Sequence, residues 1–316
     1  MPTLQGSYVL ESPFVSPDTS LQVAVRDALL RGVANSGVRF IADLGFGYCY
    51  PGGDFSVRPA PAAPGNGALV GDVSDHANGS VVLGAGQVIG YAGGGFDYAA
   101  ITAAGNYLAV PPSVAADIFA AFGGHAQQFM VTAYVKLPLK TNWNSGAALA
   151  PMIAWGDANA AAGVADMITI GQSSISSRLE AIRQTVGSTL VSMNVPVSDS
   201  EYGQLAQITF WRNAAGTGLS LRTDQGRRTT SGVVGADNTE NFSTKTGRLG
   251  ACNTYGVPSA GGATNSVKWR GYRMFIENLA RSGRDPVTVA EDDWLRVKAR
   301  IAASAAANGG TSQIFN

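Results

Sequence analysis

The fold is indicated by two neighbouring stretches of sequence, residues 93–98 (Gly-Gly-Gly-Phe-Asp-Tyr) and residues 106–111 (Asn-Tyr-Leu-Ala-Val-Pro). Each is a short aromatic or apolar run next to glycine, proline or a polar turn, which is the pattern of a β-strand beside a turn. Together they predict a hairpin, with Phe96 and Tyr107 in the core. Residues 128–138 form the most strand-like run of the chain, and we expect this third strand to pair with the hairpin.

The composition favours an all-β protein. The chain of 316 residues contains 40 glycines, and charged residues make up 14% of it, whereas a helical protein would carry more Glu, Lys and Leu on its surface. Short strand patterns instead recur between glycine-containing turns, which predicts an antiparallel β-sandwich or jelly roll. The predicted strands are residues 69–73, 80–84, 87–91, 95–98, 106–110, 128–137, 149–155, 166–171, 178–184, 189–195, 205–212, 217–223, 231–235, 246–251 and 267–277.

The charge of the chain argues against several classes of partner. Its 22 basic and 22 acidic residues cancel without a basic cluster, so we expect no nucleic-acid binding, which needs concentrated Lys and Arg. No apolar run reaches the roughly 20 residues that span a bilayer, and the first residues lack the regions of a signal peptide. We therefore expect synthesis in a cytoplasm without membrane insertion. A near-neutral surface also favours assembly with other chains.

The N-terminal region predicts one short helix, at about residues 20–33. Polar residues that can cap a helix precede it, and Leu21, Val25 and Leu29 recur on one helical face. The spacing leaves open whether this apolar face packs on the main domain or on a partner chain. In the second case the three residues are assembly contacts.

A stretch rich in proline, residues 59–67, predicts a linker. Proline fixes the backbone near polyproline geometry and donates no hydrogen bond to a neighbouring strand. We therefore predict two parts. Residues 1–65 form an N-terminal arm that docks on a partner, and residues 66–316 form the sandwich.

The end of the chain predicts a helix over residues 289–305. Thr288 and Glu291 fit a capping box, and acidic residues precede basic ones along the helix, as the helix dipole favours. Trp294 lies on the predicted buried stripe. Residues 311–316 follow an Asn-Gly-Gly stop signal, and we expect them to form a loose tail.

Nine short motifs follow one another over about residues 68–303, and their order resembles that of the concanavalin A-like sandwich family in its laminin-G-like form. The resemblance implies a jelly roll of two antiparallel sheets with a helix at its exit. Gln225 interrupts the Asp-Gly turn of the family, and residues 1–65 lie outside the resemblance. The motifs are residues 70–79, 94–98, 106–111, 129–136, 206–213, 219–226, 247–250, 269–276 and 290–292.

In style the chain resembles the structural proteins of tailed-phage virions, such as fibres, head decorations, and collar or tail appendages. The shared traits are the missing signal segment, the richness in Ala and Gly, and a proline-rich arm before a laminin-G-like sandwich. This resemblance implies synthesis in the host cytoplasm, a place on the virion, capsid, collar or tail partners, and a homo-oligomer such as a trimer. It also implies a sandwich displayed outward, for adhesion to a host-surface glycan. A free-standing lectin-like carbohydrate-binding module is the alternative.

Asp72, Asp75 and Asn78 are the nearest approach to a metal site in the sequence. Calcium takes six or more oxygen ligands, and three such side chains in one turn more often bond to the turn itself. We therefore predict no cofactor, with Ca²⁺ at these residues as the alternative.

Aromatic side chains near loops are the candidates for contact with a glycan or a partner. Trp143 lies in a polar stretch, and Tyr202 and Tyr255 lie in turns that contain glycine. We predict that Trp143 is exposed and that the other tryptophans of the strands belong to the core.

The residues of common catalytic sites are scattered in this sequence. A retaining glycosidase needs two carboxylates about 5 Å apart, yet the glutamates before the C-terminal helix are isolated from one another. His76 and His125 lie in no nucleophile motif. Cys49 and Cys252 are best interpreted as two separate thiols rather than a disulfide. We predict that the protein is not an enzyme, and a glycan-active hydrolase is the weakest alternative.

Overall fold

Two antiparallel β-sheets of eight strands each dominate the described part of the chain, as the all-β prediction requires. They are seen in a computed structural model, in which none of the described helices is long and apolar enough to cross a membrane. The described residues are 8–9, 25–30, 37–51, 61–118, 127–143, 149–156, 166–173, 176–186, 189–238, 245–252 and 268–316.

The first sheet has eight strands, all paired antiparallel. In spatial order they are β13 (Thr189–Pro196), β12 (Arg178–Val186), β11 (Asp166–Gln172), β10 (Ala150–Gly156), β17 (Thr246–Ala251), β8 (Asn106–Val110), β5 (Gly79–Val82) and β4 (Leu69–Val70).

The second sheet also has eight strands. One of them, β3 (Val38–Asp43), pairs among the described strands only with the strand Arg270–Asn278, which is β18. The others, in spatial order, are β16 (Gly226–Gly232), β15 (Gly216–Thr223), β14 (Leu205–Asn213), β9 (Phe129–Lys136), β18 (Arg270–Asn278), β7 (Gly95–Asp97) and β6 (Gly90–Ala92). A separate pair is formed by β1 (Tyr8–Val9) and β2 (Val25–Arg26).

Helices contribute little to the described part of the chain. The α-helices are α1 (Pro112–Ile118), α2 (Leu279–Ser282) and α3 (Pro286–Ala307). The 3-10 turns are Ala28–Leu30, Lys140–Asn142 and Asp199–Glu201.

Strand β9 is buried on both faces, which explains its nearly continuous apolar sequence. On its inner face, residues such as Phe129 and Val131 join the core between the two sheets. On its outer face, Met130 and Tyr134 join a second cluster under α3, where the Tyr134 and Trp294 rings stack at 6.2 Å. The sandwich therefore has a third layer, the C-terminal helix.

The hairpin predicted from residues 93–111 is wrong, because its two strands lie in different sheets. Strand β7 pairs with β6 and β18, whereas β8 pairs with β5 and β17. The chain crosses between the sheets after Tyr98, whose buried hydroxyl donates to the Leu249 carbonyl at 2.7 Å. Phe96 is buried as predicted, and Tyr107 is half-buried. The third run, β9, pairs with β14 and β18.

The structure also places part of the predicted arm inside the sandwich. Strand β3 pairs with β18 over five residue pairs, and Phe40 reaches the core between the sheets. Cys49 and Tyr50 join the same core. Residues 38–50 thus belong to the sandwich and not to a separate docking region. The domain boundary was predicted at the proline-rich stretch, but proline is as common in surface loops within a domain as in linkers between domains.

The helix predicted at residues 20–33 is replaced, in its described part, by β2 and a 3-10 turn. Asp27 interrupts the helical pattern because its carboxylate accepts a hydrogen bond from the Leu29 amide (3.0 Å) and pairs with Arg273. Leu29 is buried against α3, so its apolar side chain packs on the main domain. Val25 lies in β2, and Leu21 lies outside the described residues.

The predicted C-terminal helix is present as α3 but starts earlier. Asp285 is the N-cap, and its carboxylate accepts the Thr288 amide at 2.8 Å, with Pro286 in the first turn. The predicted loose tail is instead docked, since Phe315 is buried beside the rings of Tyr134 and Tyr272.

A buried ion cluster ties the ends of the chain to the second sheet. Arg273 of β18 lies 3.0 Å from Asp27, 3.0 Å from Asp43 and 3.1 Å from Asp293, and Arg300 also pairs with Asp43. Burial by itself would raise the pKa of Asp43, but the charges of Arg300 and Arg273 outweigh it and hold that pKa below 3.8. One guanidinium thereby links the N-terminal turn, β3 and α3.

The two cysteines are buried thiols that are not joined by a disulfide, as predicted. The Sγ atom of Cys49 accepts a hydrogen bond from the Asp43 amide at 3.3 Å. Burial raises the pKa of the Cys49 thiol, which keeps it protonated and unreactive.

Candidate ligand-binding site

The aromatic residues predicted to contact a glycan or a partner do not form a surface. Trp143 is 8% exposed, and its indole N–H donates to the Ser173 carbonyl at 3.1 Å. Tyr202 is equally buried and meets the Trp143 ring edge-on, with centroids 5.4 Å apart. The prediction of an exposed Trp143 is wrong, because its ring packs in the core between the two sheets. Tyr255 lies outside the described residues.

The predicted metal ligands lie in a turn that is closed by its own hydrogen bonds. The carboxylate of Asp72 accepts the amides of Ile41 (2.8 Å) and His76 (2.9 Å), and the Asn78 side chain accepts the Asp72 amide (3.1 Å). Asp75 has a positive φ of 59°. Among the described residues, no three His, Cys, Asp or Glu side chains are placed to hold a metal. The turn therefore supports strand β3, and its oxygens are engaged by N–H donors.

A cavity of about 380 Å³ lies beside this turn. Strand β3, the Asp72 turn, α1 and α2 each contribute to its wall. We call it the Arg39 cavity, and its lining residues are Arg39, His76, Ser113, Val114, Asp117 and Arg281.

Asp117 holds the two arginines of the Arg39 cavity in place. Its carboxylate lies 2.6 Å from Nε of Arg39 and 2.7 Å from Nη2 of Arg281, and the Asn278 amide group donates to it at 3.3 Å. Two guanidinium groups share one carboxylate, so these three side chains carry a net positive charge.

A line of hydrogen bonds orients Arg39 from its other side. Its Nη1 atom lies 2.8 Å from Nε2 of His76, and Nδ1 of His76 lies 2.9 Å from the Ser74 hydroxyl oxygen. Because a guanidinium can only donate, Nε2 is the acceptor and the ring hydrogen of a neutral His76 sits on Nδ1. The Ser74 hydroxyl in turn donates to Asp72 at 2.7 Å. The turn with the predicted metal ligands thus positions Arg39.

A second cavity, of about 230 Å³, lies at the start of α3. Its polar groups already serve the fold, since Asp285 caps the helix and Arg284 pairs with Glu277 at 2.6 Å. The Arg39 cavity is the larger of the two, and we take it as the candidate ligand-binding site.

Each glutamate in the described part of the chain is engaged in an ion pair with arginine. Such carboxylates are held as structural groups, whereas glycoside hydrolysis needs two of them facing a substrate. The pairs are Glu180–Arg178, Glu201–Arg228, Glu277–Arg284 and Glu291 with Arg222 and Arg227. His76 serves as an acceptor for Arg39, and His125 lies outside the described residues.

The sequence did not point to Arg39, Asp117 or Arg281 as site residues. Asp117 is separated by 78 residues from Arg39 and by 164 residues from Arg281, so only the fold brings them together. One signal was present, because Arg39 and Asp117 are lone charges in apolar runs. A charge that interrupts such a run needs a partner, which is a reason to search for one.

No protein-family model matches the chain, and no curated protein is similar to it in sequence. Among solved structures it is similar to Trypanosoma rangeli sialidase in complex with sialic acid (10% identity, TM-score 0.45, 79% of this chain and 34% of that chain). It is also similar to the binding domain of botulinum neurotoxin DC in complex with SialylT (12% identity, TM-score 0.44, 75% of this chain and 50% of that chain). A third similar structure is the CBM2 module of the evolved Dit of Lactobacillus casei BL23 phage J-1 (12% identity, TM-score 0.33, 60% of this chain and 78% of that chain). The chain spans about a third of the sialidase, and these weak likenesses leave its function to be argued from its own residues.

Proposed function

We propose that this chain is a non-enzymatic structural protein of a tailed-phage virion, whose sandwich is displayed outward and binds a host-surface glycan. The observation that carries the binding part is the Arg39 cavity, a concave site with hydrogen-bond donors fixed by their neighbours. Its volume of about 380 Å³ suits one sugar residue, within the range of small-ligand pockets.

The assembly part of the proposal rests on the resemblance in style to virion proteins and on the low charge of the chain. In this proposal the N-terminal region attaches to the capsid, collar or tail, and the chain forms a homo-oligomer such as a trimer. Because Leu29 is covered by α3, attachment would use other residues of that region. The proposal includes no calcium ion, because oxygens of Asp72 and Asn78 accept hydrogen bonds from backbone amides.

Electron microscopy of virions tests the assembly part. We expect particles made without this chain to lack a discrete density that wild-type particles carry. Identical densities would contradict the proposal and favour the alternative, a free-standing lectin-like carbohydrate-binding module.

A polysaccharide-release assay tests whether the protein is an enzyme. We expect no release of reducing sugar, because the described glutamates are paired with arginine and do not face one another across a cleft. Release above that of a heat-inactivated control would favour a glycan-active hydrolase.

A further inference from the structure

We propose that the Arg39 cavity binds the carboxylate of an acidic sugar residue. This inference rests on the proposed glycan binding and narrows it to one chemical class of ligand. It is carried by the charge, the donor geometry and the size of the cavity.

The charge of the cavity favours an anion. The acceptor atoms of Asp117 are already engaged by Arg39, Arg281 and the Asn278 amide, so this carboxylate is occupied within the wall. The two guanidinium groups outnumber the one carboxylate among the residues that line the cavity, so the lining side chains carry more positive than negative charge. A neutral sugar would not compensate this charge, whereas a carboxylate would.

The donor geometry points to a planar anion. Arg39 uses Nε for Asp117 and Nη1 for His76, and its Nη2 atom has no hydrogen-bond partner among the described residues. Two of the five N–H groups of the guanidinium are thus engaged, and the remaining ones, which include both on Nη2, can donate to the oxygens of a carboxylate. Since the Arg39 side chain is 15% exposed, its charge is less screened by water than that of a surface arginine.

The Arg39 guanidinium is held in position before a ligand binds. Asp117 fixes one edge of the Arg39 guanidinium and His76 fixes another, and the Ser74 hydroxyl fixes the His76 ring. Groups that are already ordered lose little conformational entropy on binding. The hydrogen bonds of the turn at Asp72 thereby also position Arg39.

The rest of the wall fits a sugar ring. Ser113 provides a hydroxyl that can bond to the hydroxyls of a sugar, and the wall also contains Val114, which is 2% exposed. At about 380 Å³ the cavity has room for more than a lone carboxylate and lies within the size range of small-ligand pockets.

Calorimetric titration of the full chain tests the proposal, with glucuronate as the probe and glucose as its uncharged match. We expect glucuronate to bind at least about tenfold more tightly than glucose, a difference of the size that one charge-assisted hydrogen bond produces. The preference should shrink as salt is added. Equal binding of the two sugars would overturn the proposal.

Arg281→Gln assigns the binding to this cavity, because it removes one charge from a half-exposed side chain. Arg296→Gln is the matched control, since it makes the same change beside the second cavity. We expect the first variant to weaken glucuronate binding about tenfold or more and the control to leave it unchanged. Equal affinities for the two variants would overturn the assignment.

Inorganic phosphate distinguishes a sugar carboxylate from a site for any anion. If phosphate binds and glucuronate does not, the inference is wrong. If the protein binds neutral glycans and ignores glucuronate, the inference is also wrong although the proposed glycan binding holds. Glucuronate binding that Arg281→Gln weakens supports the inference even if virions without the chain look unchanged.

Discussion

Gly95 lies where strand β7 approaches strand β18 closely. A Cβ atom at this position would lie 2.5 Å from the Gly271 carbonyl oxygen and 2.5 Å from the Tyr272 ring. At Gly93, with a φ of +57°, a Cβ atom would lie 2.0 Å from the carbonyl oxygen of Asn316. The glycines that open residues 93–98 are therefore required by close backbone approach.

Gly95→Ala should lower the free energy of unfolding by about 1 to 3 kcal/mol, since the added methyl group must push backbone aside. Gly65→Ala is the control, because its Cβ would meet nothing within 4 Å. Urea denaturation of both variants measures the difference. A Gly95→Ala protein as stable as the control would contradict the packing described for β7.

In the ion cluster, Asp43 and Asp293 make the free energy of unfolding depend on pH. The pKa of Asp43 is held below 3.8 in the folded state, so its stabilising contribution is present above the unfolded pKa and is lost as pH falls through the folded value. Asp293 acts in the opposite sense, because burial raises its pKa and outweighs the charge of Arg273. Its charged form therefore costs stability as the pH rises.

Asp43→Asn should destabilise the protein by about 3 kcal/mol or more near neutral pH, because it leaves buried arginines short of a carboxylate. The gap to wild type should narrow as the pH falls below about 4. Asp224→Asn is the control, since its pair with Lys298 is exposed and worth little. Denaturation curves over a pH series measure this, and a gap that stays constant with pH would refute it.

At the scale of elements, the third layer rests on one cluster of rings. The Phe315 ring lies 5.8 Å from that of Tyr134 and 5.4 Å from that of Tyr272, and it closes the cluster beside Trp294. The tail is thereby packed against the sandwich although its sequence is short and polar. Tertiary contacts decide its conformation.

Phe315→Ala should cost about 3 kcal/mol, the usual loss for a buried ring. Val233→Ala is the control at a 78% exposed position, where about 0.5 kcal/mol or less is expected. Thermal unfolding of the two variants distinguishes a docked tail from a loose one. An unchanged midpoint for Phe315→Ala would show that the tail does not stabilise the fold.

The sequence predicted the elements better than their pairing. The strands around Phe96, Leu108 and Val131 could be identified because each is a short apolar run between turns. Periodicity could not reveal that β7 and β8 enter different sheets, since alternation along a strand does not say which strand lies beside it. The helix expected around Val25 failed because an ion pair, Asp27 with Arg273, depends on residues far apart in the chain.

The candidate site illustrates the same limit. His76 and Asp72 can be named from the sequence as candidate site residues. Their roles depend on Arg39, which lies beside them because β3 places it there. Trp143 was expected on the surface because its neighbours in sequence are polar, yet its own ring is apolar and packs in the core.

At the scale of the whole molecule, β3 makes residues 38–50 part of the sandwich. A chain that begins at residue 66 should therefore fail to unfold cooperatively, because it lacks a strand of the second sheet and exposes core residues such as Met274. A chain that begins at residue 25 keeps β3 and Asp27 and should retain a cooperative transition. Calorimetry of both truncations measures this, and cooperative unfolding of the shorter chain would restore the boundary near residue 65.

The central claim is that this sandwich binds a host-surface glycan through the Arg39 cavity. A glycan array probed with the wild-type protein, beside Arg281→Gln and Arg296→Gln, tests it most directly. We expect signals on glycans that contain acidic sugars, lost with Arg281→Gln and kept with Arg296→Gln. An array without signal for the wild-type protein, or signals that Arg281→Gln leaves unchanged, would contradict the claim.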